Sequence, residues 1–349
     1  MYSGPVVKSV QELSINGVEL PHYYIRREDD RPVKASAPTS PIPVIDLELL
    51  FSDSKEKEME KLRSALNSWG FFQTVGHGIP SSLLDEVGKI AREFYNLPPE
   101  EKRRYSTAVA NEDGEEGYGN DDQIPVENQI IDWSDRLYLL VLPEDQRNTT
   151  HWPDNPTTFR KIFHEYTMKI KVVAHLILRA LANLANLEED YFVKEFGGRA
   201  NLYARFNYYP PCSRPNLVLS IKSHSDGCAI TILLQDNSVD GLEVLKDGKW
   251  IKIPAIPHAL LVNIGDQLEI MSNGIFKSPV HRAVTNSEKE RMSVAMFYAP
   301  EMEKEIGPAD GLVDNGRSTL YQKMKVKEYI DLYDQYYSQG KRAIDAAKV

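Results

Sequence analysis

Leu202-Tyr-Ala-Arg-Phe-Asn-Tyr-Tyr209 alternates two characters along its length. Strand side chains point to opposite faces with period two. Leu202, Ala204, Phe206 and Tyr208 therefore make one apolar face, and Tyr203, Arg205, Asn207 and Tyr209 make a face able to surround a ligand. Outward from this run, the segment from Asn201 to Pro300 reads as closely spaced β-type runs: 202–209, 229–235, 241–245, 250–253, 259–264, 268–271, 280–284 and 293–298. Gly, Asn, Asp and Pro separate them, and Asn273-Gly274 is a hairpin signal.

The half before this segment is helical in pattern. Met59, Leu62, Leu66 and Trp69 recur at spacings of three and four, as do Leu83, Leu84, Val87, Ile90, Ala91 and Phe94. A third helix is expected to start at Asn155-Pro156, read as a cap followed by proline at the first helical position, and to run to about Leu187. Short strands are expected at Pro43–Leu47, Trp69–Val75 and Asp132–Val141, and an amphipathic helix from Lys325 to about Tyr337. The predicted fold class is mainly β with flanking helices: a jelly-roll core, a helical N-terminal half and a C-terminal helix. The chain divides into an arm at 1–40, a helical and mixed region at 41–195, the jelly-roll core at 196–305 and a C-terminal lid and helix at 306–349. The acidic, Gly-containing stretch from Thr107 to Asn128 reads mostly as a solvated loop.

Composition narrows the function classes. The 349 residues carry a formal net charge of −10, which argues against nucleic acid or an anionic membrane as partner. Two cysteines, Cys212 and Cys228, make no disulfide framework and fit a reducing compartment. The apolar stretch Val172–Leu187 is interrupted by His175, Arg179, Asn183 and Asn186 and reads as a core helix rather than a span. A cytoplasmic monomer acting on a small molecule is expected.

The chemistry concentrates in His224-Ser-Asp226 and His281. On a strand, a His and an Asp one residue apart share a face. Two imidazoles and one carboxylate with open positions form the facial triad of non-haem Fe(II) oxygenases. Arg291, Ser293, Ala295 and Phe297 share a second face by the same parity. A buried arginine needs an anion, and with a hydroxyl beside it the natural occupant is the distal carboxylate of a small dicarboxylate that also chelates iron. Each piece has a plainer alternative: His281 as a core histidine, Arg291 paired with Asp266, and Cys228 either as a further ligand or as a small buried residue lining the pocket. His22, His77, His151, His164, His175 and His258 show no ligand spacing and read as structural.

Asn207-Tyr-Tyr-Pro-Pro-Cys212, His224-Ser-Asp226, Asn263-Ile-Gly-Asp266, Ser272-Asn-Gly274, His281-Arg282 and Arg291-Met-Ser293 resemble the motifs of the plant 2-oxoglutarate- and Fe(II)-dependent dioxygenases. Pro43-Val-Ile-Asp-Leu47 and Trp69-Gly-Phe-Phe72 with Gly76-His-Gly78 resemble that family's N-terminal region, so the likeness covers nearly the whole chain. Within the family the chain is similar to the specialised-metabolism class, near the triketone-herbicide-hydroxylating and alkaloid O-demethylase groups. The resemblance implies a double-stranded β-helix core with iron on His224, Asp226 and His281. It implies 2-oxoglutarate on Arg291 and Ser293 with Asn207 and Tyr209 beside it, O₂ as oxidant, and ascorbate as an aid to turnover. The implied reaction hydroxylates or oxidatively O-demethylates a small plant metabolite, hormone or xenobiotic and releases succinate and CO₂. Gly227-Cys228-Ala229 lies where relatives vary. Substrate-pocket candidates are Tyr118, Arg136, Tyr138, Arg205, Cys228 and Phe297, with core packing as the plain alternative for the aromatics. Arg136 in the pocket favours an acidic or β-dicarbonyl substrate. The competing reading is a small-molecule binding protein that keeps the metal site without turnover; a zinc hydrolase leaves Arg291 and Ser293 unexplained.

Overall fold

A computed structural model describes residues 8–15, 19–38, 41–106, 116–120, 129–313 and 318–349. Most of the acidic stretch at 107–128 lies outside the described residues. Two sheets form the centre of the fold. Their strands, in chain order, are β1 (Val44–Asp46), β2 (Phe71–Val75), β3 (Gly117–Gly119), β4 (Asp135–Leu142), β5 (Asn201–Tyr209), β6 (Ile221–His224), β7 (Ile230–Gln235), β8 (Leu242–Lys246), β9 (Lys249–Lys252), β10 (Leu260–Ile264), β11 (His281–Ala283) and β12 (Arg291–Ala299). The major sheet has the order β1-β2-β10-β7-β12-β5-β4-β3, and the minor sheet β6-β11-β8-β9. Apart from the parallel pair β1 and β2, neighbouring strands are antiparallel. Phe71 and Leu261 of the major sheet share an apolar cluster with Leu242, Val244 and Ile251 of the minor sheet, so the two sheets face each other. This is the expected jelly-roll core with flanking helices.

β5 shows how alternation becomes layering. Its even residues are buried against helices: Phe206 meets the rings of Phe159 and Phe163 at 5.3 and 4.7 Å. Tyr208 stacks on Tyr95 at 4.7 Å, and the Tyr95 hydroxyl donates to the Phe206 carbonyl at 2.7 Å. Those rings belong to the helices Phe159–Leu184 and Ser81–Tyr95, whose apolar residues recur every three or four positions on the face turned to the sheet. Deleting one such ring removes about 3–5 kcal/mol. The odd residues of β5 face the opposite way, into the space between the sheets.

The N-terminal arm is anchored rather than loose. Asp135 at the start of β4 accepts the backbone N–H groups of Val10 and Gln11 at 2.9 and 2.8 Å, serving the exposed donors at the start of the short helix Val10–Ile15. Val10, Leu13 and Tyr24 pack on Trp133, Leu217 and Val218 in a satellite core.

Three local expectations are corrected. The run 268–271 is helical, within Asp266–Met271, because Leu268-Glu-Ile-Met271 is too short for its apolar spacing to separate strand from helix. Asn273-Gly274 closes that helix instead of a hairpin: Asn273 and Gly274 have φ of 48° and 75°, and the Gly274 N–H donates to the Glu269 carbonyl at 2.8 Å. The same left-handed backbone serves a hairpin turn and a helix C-cap, so the dipeptide does not discriminate between them. The third helix starts at Phe159, not at Asn155-Pro156. Pro156 lies in the turn before it and accepts the Phe159 N–H at 2.9 Å, where the first side chain reaches the core.

Candidate metal and co-substrate site

β6 and β11 pair antiparallel with His224 directly opposite His281. Cross-strand partners hold their side chains together, and the two imidazole centroids stand 4.3 Å apart. Asp226 comes into place differently from the strand-parity expectation. β6 ends at His224, and Ser225 and Asp226 lie in the irregular stretch between it and the bend at 227–229. This segment is held from behind, where the Asp226 carbonyl accepts the Asp266 N–H at 2.8 Å and the Cys228 carbonyl accepts the Gln267 N–H at 3.1 Å. Gly265 permits that approach, since a Cβ there would stand 2.1 Å from the Cys228 carbonyl oxygen. Asp226 Oδ1 then lies 3.4 Å from His224 Nε2 and 3.6 Å from His281 Nε2. These ligand atoms all fall within 4.8 Å of one another.

The hydrogen bonds around the triad assign each atom its state. His224 Nδ1 donates to the Lys222 carbonyl at 2.8 Å and His281 Nδ1 to the Pro279 carbonyl at 3.2 Å. A carbonyl only accepts, so both Nδ1 atoms carry a proton, and Nε2 is the ring nitrogen each histidine turns to the common point. Asp226 Oδ2 is occupied by the Thr231 hydroxyl at 2.5 Å and the Asn263 amide at 2.6 Å, which leaves Oδ1 for a cation. Burial pushes the Asp226 carboxyl upward, but His281, His224 and the Thr231 hydrogen bond outweigh it and hold the group below the usual carboxylate range. Burial, and then His224, pull His281 down to about 4, so it is neutral at pH 7. Two imidazoles and one carboxylate make the donor set that a divalent first-row metal takes.

Beside the triad lies a cavity of about 600 Å³. The odd residues of β5 (Tyr203, Arg205, Asn207, Tyr209) and Arg291, Ser293, Ala295 and Phe297 of β12 all line it, as parity predicts. Arg291 is buried, with Nη2 3.4 Å from the Gln235 amide oxygen and its guanidinium 5.1 Å from the Tyr209 ring centroid. Its Nε has no hydrogen-bond partner, and among the described residues it forms no ion pair. The Ser293 hydroxyl lies 3.3 Å from both the Asn207 amide nitrogen and the Tyr209 hydroxyl. The alternative pairing of Arg291 with Asp266 is not found, since Asp266 Oδ2 instead accepts from Ser225 at 3.1 Å and Tyr329 at 2.7 Å.

Among the remaining candidates, Arg136, Tyr138, Arg205, Cys228 and Phe297 are cavity walls. Arg136 lies over the Tyr138 ring at 5.4 Å, and Arg205 Nε donates to Asn207 Oδ1 at 2.6 Å. Tyr118 is a correction. It is opposite Leu137 in the β3–β4 ladder, on the face away from Arg136 and Tyr138, and it packs on Phe94 and Tyr95 in the main core. Cys228 contributes no ligand atom to the cluster. Burial first, then the Asp226 charge, raise its thiol well above the ordinary value, and its Sγ lies 3.4 Å from the Ile230 carbonyl and 3.3 Å from the Thr231 hydroxyl.

Sequence reasoning missed Thr231, Asn263 as a carboxylate donor, Lys222, and the docking of the expected C-terminal helix, Val326–Ser338, against the site. That helix sets Tyr329, Tyr333 and Tyr337 on one face at four-residue spacing. The Tyr333 hydroxyl donates to the Ser225 carbonyl at 2.9 Å, and the Tyr337 ring stands 5.6 Å from His224 at 89°. The three-tyrosine spacing was visible in the sequence, but not what it packs against.

Comparison with known proteins supplies the family. Residues 200–300 match the 2OG-Fe(II) oxygenase superfamily, and residues 42–155 match the non-haem dioxygenase in morphine synthesis N-terminal family. Jasmonate-induced oxygenase 4 of Arabidopsis thaliana is 38% identical over 348 residues, covering 98% of this chain and 97% of that protein. The chain belongs to the 2OG-Fe(II) oxygenase superfamily. Codeine O-demethylase of Papaver somniferum is 37% identical over 342 residues, 94% of this chain and 92% of its own. The crystal structure of JOX2 in complex with 2OG, Fe, and JA superposes with a TM-score of 0.87 at 36% identity, covering 98% of each chain. This oxygenase is therefore an oxidoreductase that uses Fe(II), 2-oxoglutarate and O₂ to oxidise a small organic molecule. Among the described residues no helix is long and apolar enough to cross a membrane.

Proposed function

We propose that His224, Asp226 and His281 hold the iron and that Arg291, Ser293, Tyr209 and Asn207 receive the distal carboxylate of 2-oxoglutarate. The observation that carries this reading is Arg291, a buried guanidinium with an unpartnered Nε and a serine hydroxyl on the next same-face residue, in the cavity that the triad opens into. A buried cation without an anion is costly, and a dicarboxylate reaching from the metal to Arg291 removes that cost while using the planar fork of the guanidinium. Bound Fe(II) with O₂ supplies the oxidising power, and 2-oxoglutarate leaves as succinate and CO₂.

The chain's own residues supply geometry. Thr231 and Asn263 fix the carboxylate of Asp226, and the Lys222 and Pro279 carbonyls fix both imidazoles. Arg136, Tyr138, Arg205, Cys228 and Phe297 shape the place where substrate lies, and Arg136 favours an acidic or β-dicarbonyl small molecule. Fe(II)-dependent succinate release from 2-oxoglutarate tests the oxygenase roles: Arg291→Gln must weaken 2-oxoglutarate and His224→Ala must abolish metal binding. Zinc-supported turnover without 2-oxoglutarate, or unchanged turnover of an acidic substrate in Arg136→Ala, overturns the corresponding part.

A further inference from the structure

Lys222 is a cation in the cavity wall whose hydrogen-bonding capacity the mechanism above does not use. The residue is 8% exposed, yet it lines the cavity two positions before His224 on β6. Its ammonium sits 4.1 Å from the centroid of Tyr337, the same ring that meets His224 edge-on. Among the described residues no carboxylate pairs with it and no acceptor meets its three N–H donors. The other cations of the cavity differ. Arg282 is paired with Glu243 at 2.7 Å and stacks on Trp250, Arg205 donates to Asn207, and Arg136 lies within reach of the Gly117 carbonyl at 3.4 Å. Arg291 stands with Ser293 at the co-substrate end.

An ammonium that faces the cavity and is held only by a ring face keeps its N–H donors for an acceptor that enters there. The Tyr337 face holds Nζ beside the triad, and Tyr337 itself is positioned by the C-terminal helix and its stacked neighbour Tyr333, at 5.6 Å and 25°. We infer that Lys222 is a specificity-determining residue that binds a carboxylate of the substrate, placing the rest of that molecule along the cavity next to the metal. This rests on the oxygenase reading above and deepens it by naming the anchoring group of the substrate. The carboxylate is distinct from those of 2-oxoglutarate, which are taken up by the metal and Arg291.

The test uses the full chain and three acid and methyl ester pairs sized for the cavity: jasmonate, indole-3-acetate and cinnamate. Binding is measured by calorimetry on protein loaded with Mn(II) and 2-oxoglutarate. At least one acid should bind, and each acid that binds should do so about 10- to 100-fold more tightly than its ester, the range of a charge-assisted hydrogen bond. Lys222→Met should erase that preference by weakening the acid alone, and Lys222→Arg should restore most of it, which separates charge recognition from misfolding. Equal binding of acid and ester by the wild type, no binding of any acid, or an undiminished preference in Lys222→Met overturns the assignment. Fe(II)-dependent succinate release by the wild-type protein without substrate is run alongside. Its absence sinks the oxygenase reading, whereas its presence with equal acid and ester binding sinks only the role of Lys222.

Discussion

Gly227→Ala should loosen the metal site by displacing a tyrosine rather than by straining the backbone. A Cβ on Gly227 would stand 2.7, 2.8 and 3.0 Å from three ring carbons of Tyr333, whereas non-bonded carbons rest at about 3.5–4.0 Å. The ring must withdraw by about 1 Å. It is pinned on its far side by Tyr337 and at its hydroxyl by the Ser225 carbonyl at 2.9 Å, so withdrawal breaks that hydrogen bond. Overpacking costs about 1–3 kcal/mol and the lost hydrogen bond about 0.5–1.5 kcal/mol, giving a total of about 2–4 kcal/mol. With an unfolding entropy of about 2.1 cal/mol/K per residue over 349 residues, melting falls by about 3–6 °C. Thermal unfolding of Gly227→Ala, Tyr333→Leu and the double variant is the assay. Leucine lacks the ring atoms that clash, so the alanine should cost less than about 1 kcal/mol in the Tyr333→Leu background. A full penalty in both backgrounds, or a Gly227→Ala protein melting within about 1 °C of wild type, refutes the Tyr333 contact as the cause.

Thr231→Val removes the 2.5 Å hydrogen bond to Asp226 Oδ2 and should weaken metal binding about 10- to 100-fold, with Thr231→Ser close to wild type in a Mn(II) titration. Arg291→Gln should raise KM for 2-oxoglutarate by the loss of about 2–4 kcal/mol, about 30- to 1,000-fold, while metal affinity without 2-oxoglutarate stays put; an equal fall in both would mean a general collapse of the site. Asp135 supplies a pH test: burial, only partly offset by the Gln11 and Val10 N–H groups, raises its carboxyl to about 6. A raised carboxyl binds its proton more tightly when folded, so its contribution is fully present below the unfolded value of about 3.9 and is lost as pH rises through about 6. Urea unfolding at pH 4.5 and 7 should therefore show the wild type losing about 2 kcal/mol that Asp135→Asn does not lose, and parallel pH profiles would refute the shift.

How much could be read in advance depended on the range of the physics involved. The period of two is a property of the strand itself, so the division of β5 into a face of Leu202, Ala204, Phe206 and Tyr208 and a face of Tyr203, Arg205, Asn207 and Tyr209 followed from the residues, as did the shared face of Arg291, Ser293 and Phe297. The helical periods of 55–68, 81–95 and 326–338 were local in the same way. The ambiguous signals were those that two structures satisfy equally: Asn273-Gly274 fits a hairpin or a helix cap, and the four residues 268–271 are too few to separate a strand period from a helical one. Tyr118 failed for a different reason, because its three-residue strand takes its facing from the register with Leu137.

Residue type and local alternation are written in the chain, so the donor chemistry was legible there: two histidines, an aspartate, and an arginine with a serine on its face. Tertiary structure alone decided that His224 stands opposite His281, that Asp226 reaches them from the segment beyond its strand, and that Tyr333 and Tyr337 close on that segment. It also decided that Lys222 is lifted on Tyr337 inside the cavity. These contacts join residues far apart in the chain, and their geometry is set by strand register and helix docking, for which no local pattern of side chains carries a signal.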